Sequence, residues 1–225
     1  LHRRCGNAED ARTVLQMALE VSPGSVHRHK TVGELALRAN DLAAAETAYA
    51  AVVRRNRHGF SPNPDDHLTL SRIYMDRGKH AQALDTLAEV KRCFPENATV
   101  RATACVLETL VHTRAESPRE ARKAIDEALA HAAREDVHLE PSAMLDLARA
   151  CFLNKREKDA TELVRRVVSN HHDDAGLLED VRALFHELDR DEQGESLVAR
   201  CIDDAVRINN EGVMLAKDGD LDRAI

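Results

Sequence analysis

Cysteine, histidine and carboxylate side chains are the groups in this sequence that could hold a metal or run acid-base and nucleophilic chemistry, and their spacing argues against both. The 12 histidines include two close pairs, His27 with His29 and His171 with His172. Such near neighbours point to different sides of a helix, and neither pair has a Cys or second His three or four positions away, the spacing that puts two ligands on one face. The five cysteines, Cys5, Cys93, Cys105, Cys151 and Cys201, stand far apart, with no Cys-x-x-Cys pair and an odd count. That pattern indicates neither a disulfide framework nor a zinc cluster, and it fits a reducing cytosol, with the thiols packing as small apolar groups. His138 and Glu140 have the histidine-x-glutamate spacing of a zinc-activated water site, but the Pro-Cys-x-x-Cys ligands that complete it are missing. No phosphate-binding glycine loop, serine elbow or histidine-glutamate-x-x-histidine occurs. Asn97-Ala98-Thr99 matches the N-glycosylation triplet, a short pattern that chance supplies and that conflicts with a cytosolic chain. The expectation is no catalytic residue, no cofactor and no metal, and so not an enzyme.

The elements that must carry whatever function remains are helices. Aromatic residues make up 3% of the chain, Trp is absent and Gly and Pro are few, which favours helix and leaves little to build sheets. A net charge of −7 argues against a nucleic-acid backbone as partner, since that affinity rests on clustered cations. No apolar run approaches the length of a membrane span. Within residues 64–97, Leu70, Ile73 and Tyr74 and then Ala83, Leu84, Leu87 and Val90 form two apolar stripes at helical spacing, broken at Gly78, where the chain must turn.

The same pattern recurs. The small residue that lets a second helix approach the first falls at Ala11, Ala45, Ala83, Ala121, Ala160, Gly194 and Ala224, at intervals of 34, 38, 38, 39, 34 and 30. With Leu70, Tyr74, Gly78, Ala83, Leu87, Val90 and Pro95 at its marker places, the chain resembles the tetratricopeptide repeat, a helix-turn-helix unit of about 34 residues. The resemblance implies an all-α, right-handed superhelical solenoid formed by one array over residues 1–225, with incomplete repeats at both ends. Its repeats run roughly 1–25 (second helix only), 26–63, 64–97, 98–140, 141–174, 175–204 and 205–225 (truncated). Residues 58–64, with two prolines and a glycine, are expected to form an irregular loop. The repeat after residue 98 lacks the glycine turn, so a longer corner is expected over 113–120, with Ser117 capping a helix that starts at Pro118. Between Glu195 and Asn210 there is no Gly or Pro, which predicts one fused helix from about Glu192 to Lys217. Half repeats at both ends read as an array cut from a longer protein.

In such arrays the first helix of each repeat lines a groove, and the resemblance places His27, Lys30, Glu34, Arg38, Asp65, Arg72, Asp76, Asp146, Arg149, Glu179, Asp180, His186, Glu187, Asn209, Asn210 and Lys217 along it. The lining is mixed in sign. The carboxylate clamp of chaperone-binding members is absent, because Glu34 stands where its first Asn should be. As a set these residues fit a groove for an extended or helical peptide, with Arg72 and Arg149 as arms whose charge reversal weakens capture without altering the melting temperature.

Three stretches, 25–59, 167–198 and 208–225, resemble the C-terminal half of bacterial response regulators that join a phosphoacceptor receiver domain to such an array. That resemblance implies a two-component signalling role, with the receiver domain outside this sequence. The expected function is a cytoplasmic scaffold that binds another protein or peptide. The alternatives are a self-association module, or a substrate-recruiting arm of a catalytic domain elsewhere.

Overall fold

The computed structural model describes the backbone at residues 17, 24–56 and 63–217, and side chains there except at 205, 209, 212 and 215–217. Among the described residues there are ten helices and no strand. The chain divides into two compact units, Leu1–His138 and Leu139–Ile225. The first holds α1 (Val26–Arg38), α2 (Leu42–Asn56), α3 (Pro64–Asp76), α4 (His80–Cys93), α5 (Ala98–Arg114) and α6 (Pro118–Ala132). The second holds α7 (Pro141–Leu153), α8 (Glu157–Asn170), α9 (Ala175–Glu187) and α10 (Asp191–Lys217).

Two local devices make these helices alternate. Four of the five first helices start on a side-chain cap: Ser25, Asn63, Asn97 and Asp174 each accept a backbone N–H from the first turn. Each such cap contributes about 1 kcal/mol by satisfying a donor that the helix leaves open. The glycosylation-like triplet at Asn97 is thus a helix start. Each first helix then ends in a three-residue corner whose middle residue is left-handed: Asn40 (φ 55°), Gly78 (φ 71°), Glu116 (φ 52°), Lys155 (φ 62°) and Asp189 (φ 57°). The residue after it donates its N–H back to the last turn, from Asp41 to Ala36, Lys79 to Tyr74, Ser117 to His112, Arg156 to Cys151 and Arg190 to Phe185, at 2.8–3.0 Å. This is the six-to-one bond of a Schellman stop, and it turns the chain straight into the second helix.

The corner corrects one sequence expectation. The stretch 113–120 is no longer than the others, because Glu116 takes the positive φ that Gly78 takes one repeat earlier. The extra length of that repeat goes into the 17 residues of α5 and into the segment after α6. Ser117 sits at the cap position, yet its hydroxyl accepts no N–H from the helix and donates instead to the Ala115 carbonyl.

Close crossing of the paired helices depends on small residues. Ala45, Ala83, Ala121 and Ala160 are fully buried at the crossings. At Gly194 a Cβ would lie 2.7 Å from Cβ and Cγ of Phe185, so the fifth crossing admits nothing larger than hydrogen. Gly33 is similarly pressed against the Tyr49 ring. Around the first crossings Ala36, Tyr49, Val53, Leu70 and Ile73 pack as one core. In the second unit Phe152 and Phe185 meet edge to face at 5.5 Å. On α9, Val181 and Phe185 are buried, whereas Leu178 is only half-buried.

The fused helix is present: α10 runs unbroken for 27 residues. Its first half is held by Leu197, Val198 and Cys201, which are buried, while Val206, Ile208, Val213 and Met214 beyond them are 45–65% exposed. Apart from Met17, the expected N-terminal second helix lies outside the described residues, as do the loop over 57–62, the crossing residues Ala11 and Ala224 and the part of the truncated last repeat beyond residue 217.

Candidate interaction surface

The polar residues singled out on the first helices divide into two groups. In the first unit Lys30 of α1 donates to Asp66 of α3 at 2.7 Å, and Arg114 of α5 donates to Asp76 of α3 at 2.5 Å. In the second unit Arg149 of α7 donates to Glu187 of α9 at 3.1 Å and to Asp146 on its own helix at 3.0 Å. The cross-helix partners are separated by 36, 38 and 38 residues, one repeat each time, so within each unit equivalent helix faces are stapled to one another. Asp66 is the most enclosed of these groups, with its side chain 4% exposed and its second oxygen accepting from the Asn56 amide. That hydrogen bond from Lys30 raises the lysine's pKa, outweighing a burial that works the other way. The sequence reading chose Asp65, which is exposed, and missed Asp66, because helix phase alone does not tell adjacent carboxylates apart.

The second group faces solvent. His27, Arg38, Glu179, Asp180 and Asn210 are exposed, and Arg38, Glu179 and Asp180 take part in none of the described ion pairs. Glu34 and Arg72 are half-buried. His186 is exposed, with Nδ1 3.2 Å from the Asp191 carboxylate. The side chains of Asn209 and Lys217 lie outside the described residues. The structure therefore separates Arg149, tied to two carboxylates, from residues whose charges are exposed, and on this geometry its reversal is expected to lower the melting temperature as well as capture. Asn210 lies on the far half of α10, where it lines an open hollow with Asp203, Val206, Arg207, Glu211 and Met214.

A cluster absent from the sequence reading lies where α4, α5 and α6 meet. Lys91 donates to Glu108 at 2.6 Å and lies 3.6 Å from Glu127. The Cys105 thiol, on a residue 1% exposed, donates to Glu127 at 3.4 Å. Ligand atoms of Cys105, Glu127 and His131 all lie within 4.8 Å of one another. Burial pushes the Cys105 thiol up to about 11. Burial is the strongest influence on Lys91 and works against its charge, but the hydrogen bond and charge of Glu108 together with those of Cys105 outweigh it, and its pKa is raised. The one signal in the sequence was the four-residue step from Glu127 to His131, which puts both on one face of α6.

Comparison with known proteins agrees with this architecture. A family model described as tetratricopeptide repeat matches residues 32–98 and 110–175. No curated protein sequence matches the chain. Among solved structures, a tetratricopeptide repeat protein from Parabacteroides merdae ATCC 43184 is similar, with a TM-score of 0.55 and 15% identity over 99% of this chain and 85% of that one. MamA, from residue 41 to its end, of Desulfovibrio magneticus RS-1 gives 0.54 and 17% identity over 77% and 91%. The Pseudomonas aeruginosa protein pilF gives 0.54 and 16% over 96% and 86%. At such identities the likeness is one of fold. With the left-handed corner recurring at every helix pair and the family model covering more than half of its residues, the chain belongs to the tetratricopeptide repeat family.

Proposed function

We propose that this chain is a non-enzymatic, cytoplasmic scaffold that binds a partner protein or peptide along its first-helix faces. The observation that carries the reading is the division of those faces into charges fixed by repeat-to-repeat ion pairs and exposed charges left over, Arg38, Glu179 and Asp180. Side chains already held in place lose little freedom when a ligand docks, which is how a repeat surface gains affinity without a deep pocket. Family membership adds to it, since tetratricopeptide arrays generally act as protein-binding scaffolds. Among the described residues no helix is long and apolar enough to cross a membrane. We further propose that the array serves a bacterial two-component response regulator, on the likeness of the stretches 25–59, 167–198 and 208–225 to that family. A receiver domain encoded next to the array supports this role, and a different neighbouring domain overturns it.

The test is capture from the source cell's lysate with the wild-type chain, Arg38→Glu and the double variant Glu179→Arg, Asp180→Arg. One protein retained by the wild type and lost from the variants, at unchanged melting temperature, supports the reading. Capture that survives both reversals overturns it. A second reading is favoured by the exposed Val206, Ile208, Val213 and Met214 on α10, which would suit self-association. Light scattering separates the two, because Met214→Glu should then dissociate a dimer while leaving capture intact.

A further inference from the structure

We propose that Cys105, Glu127 and His131 form a binding site for a thiophilic divalent cation of the zinc type, joining α5 to α6 within the first unit. The donor set is one sulfur, one carboxylate oxygen and one ring nitrogen, a mixture that suits a borderline-soft ion better than calcium or magnesium.

The geometry is close to what such an ion requires. For bonds of roughly 2.3 Å to sulfur and about 2.0–2.1 Å to oxygen and nitrogen, a tetrahedron has ligand-to-ligand edges of about 3.3–3.6 Å. The thiol and the Glu127 oxygen are already 3.4 Å apart. The remaining separations lie within 4.8 Å, so closing them takes a shift of about 1 Å, within the reach of a side-chain rotation. Glu127 and His131 stand one helical turn apart on α6, and Cys105 enters from α5, so the ligands are carried by two rigid elements and not by a loop. His131 also has a buried Nδ1 with no hydrogen-bond partner among the described residues, a polar atom left over for a second partner.

Charge balance points the same way. Loss of the thiol proton leaves Cys105, Glu127 and Glu108 as three negative groups around the single ammonium of Lys91. A divalent cation neutralises the remainder. On binding, the proton leaves the sulfur for solvent, the cation takes the Glu127 oxygen, and Lys91 keeps its hydrogen bond to Glu108. Glu127 is about half exposed, which provides an entry path and room for a water as fourth ligand.

Cobalt(II) titrated into the full chain is the probe, followed by displacement with zinc. The expected result is one equivalent that develops a thiolate-to-cobalt charge-transfer band in the near ultraviolet, bleached by zinc. Cys105→Ser should abolish the band, and Glu127→Gln and His131→Gln should each weaken binding at least tenfold. Cys93→Ser, which alters an exposed thiol, should leave the titration unchanged. Circular dichroism of each variant shows that the fold is retained. A titration without the band, or a band that persists in Cys105→Ser, overturns the site.

Discussion

Replacing Lys30 by Met tests whether first-helix charges hold the repeats together or only solvate them. Lys30 Nζ and Asp66 Oδ1 are 2.7 Å apart, and Asp66 is enclosed, with its side chain 4% exposed. At that separation, with an effective dielectric constant of about 20, the attraction is roughly 6 kcal/mol. Desolvation of the carboxylate and about 2 kcal/mol of lysine rotamer entropy oppose it. A hydrogen bond between charged groups therefore retains a net of about 2–3 kcal/mol. Met keeps the apolar stem and removes only the charge, leaving Asp66 with the Asn56 amide as its side-chain partner among the described residues. In urea unfolding followed by far-ultraviolet circular dichroism, Lys30→Met should lose about 2–3 kcal/mol, and a cycle with Asp66→Asn should give a coupling of about 2 kcal/mol. The pH dependence has a fixed sign. Lys30 has a raised pKa in the fold, so its contribution is complete below the unfolded value of about 10.4 and disappears as pH rises through the folded one. Wild type should thus lose stability above that pH faster than Lys30→Met. A coupling below about 0.5 kcal/mol, the size of an exposed pair, would refute the staple.

Other outcomes follow from the packing and the corners. Gly194→Val should destabilise by at least about 1–3 kcal/mol in thermal unfolding, because its Cβ would meet Phe185 at 2.7 Å and Phe185 is itself buried against Phe152; an unchanged midpoint would show that the helices can separate. Glu116→Gly should stabilise by roughly 0.5–1 kcal/mol, since φ is 52° and glycine adopts it without a Cβ penalty, whereas Gly78→Ala should destabilise by a similar amount; both are read from urea midpoints. With a thiol reagent near neutral pH, Cys93 should react rapidly, whereas Cys105, buried and pushed up to about 11, should react only on unfolding; mass mapping of the modified peptides decides it.

The repeat and its period are legible in the order of residues alone. Ala45, Ala83, Ala121, Ala160 and Gly194 are legible because a helix crossing excludes side-chain volume, and only small residues survive there at regular intervals. The fused α10 was legible for the same kind of local reason, a stretch without a residue that stops a helix. What chain order could not supply was the pairing of groups a full repeat apart. The corner at Glu116 hides because a non-glycine residue can be driven into the left-handed region when the six-to-one bond and the helix crossing hold it there. Asp66 rather than Asp65 holds Lys30 because a rotation of one residue about α3 decides which carboxylate meets α1. Cys105, Glu127 and His131 meet only when α5 folds back on α6, across more than twenty residues of chain, so no local spacing announces them. Local sequence sets the helices, their starts and their stops; the chemistry between helices depends on which face each one turns to its neighbour, and that is fixed only when they pack.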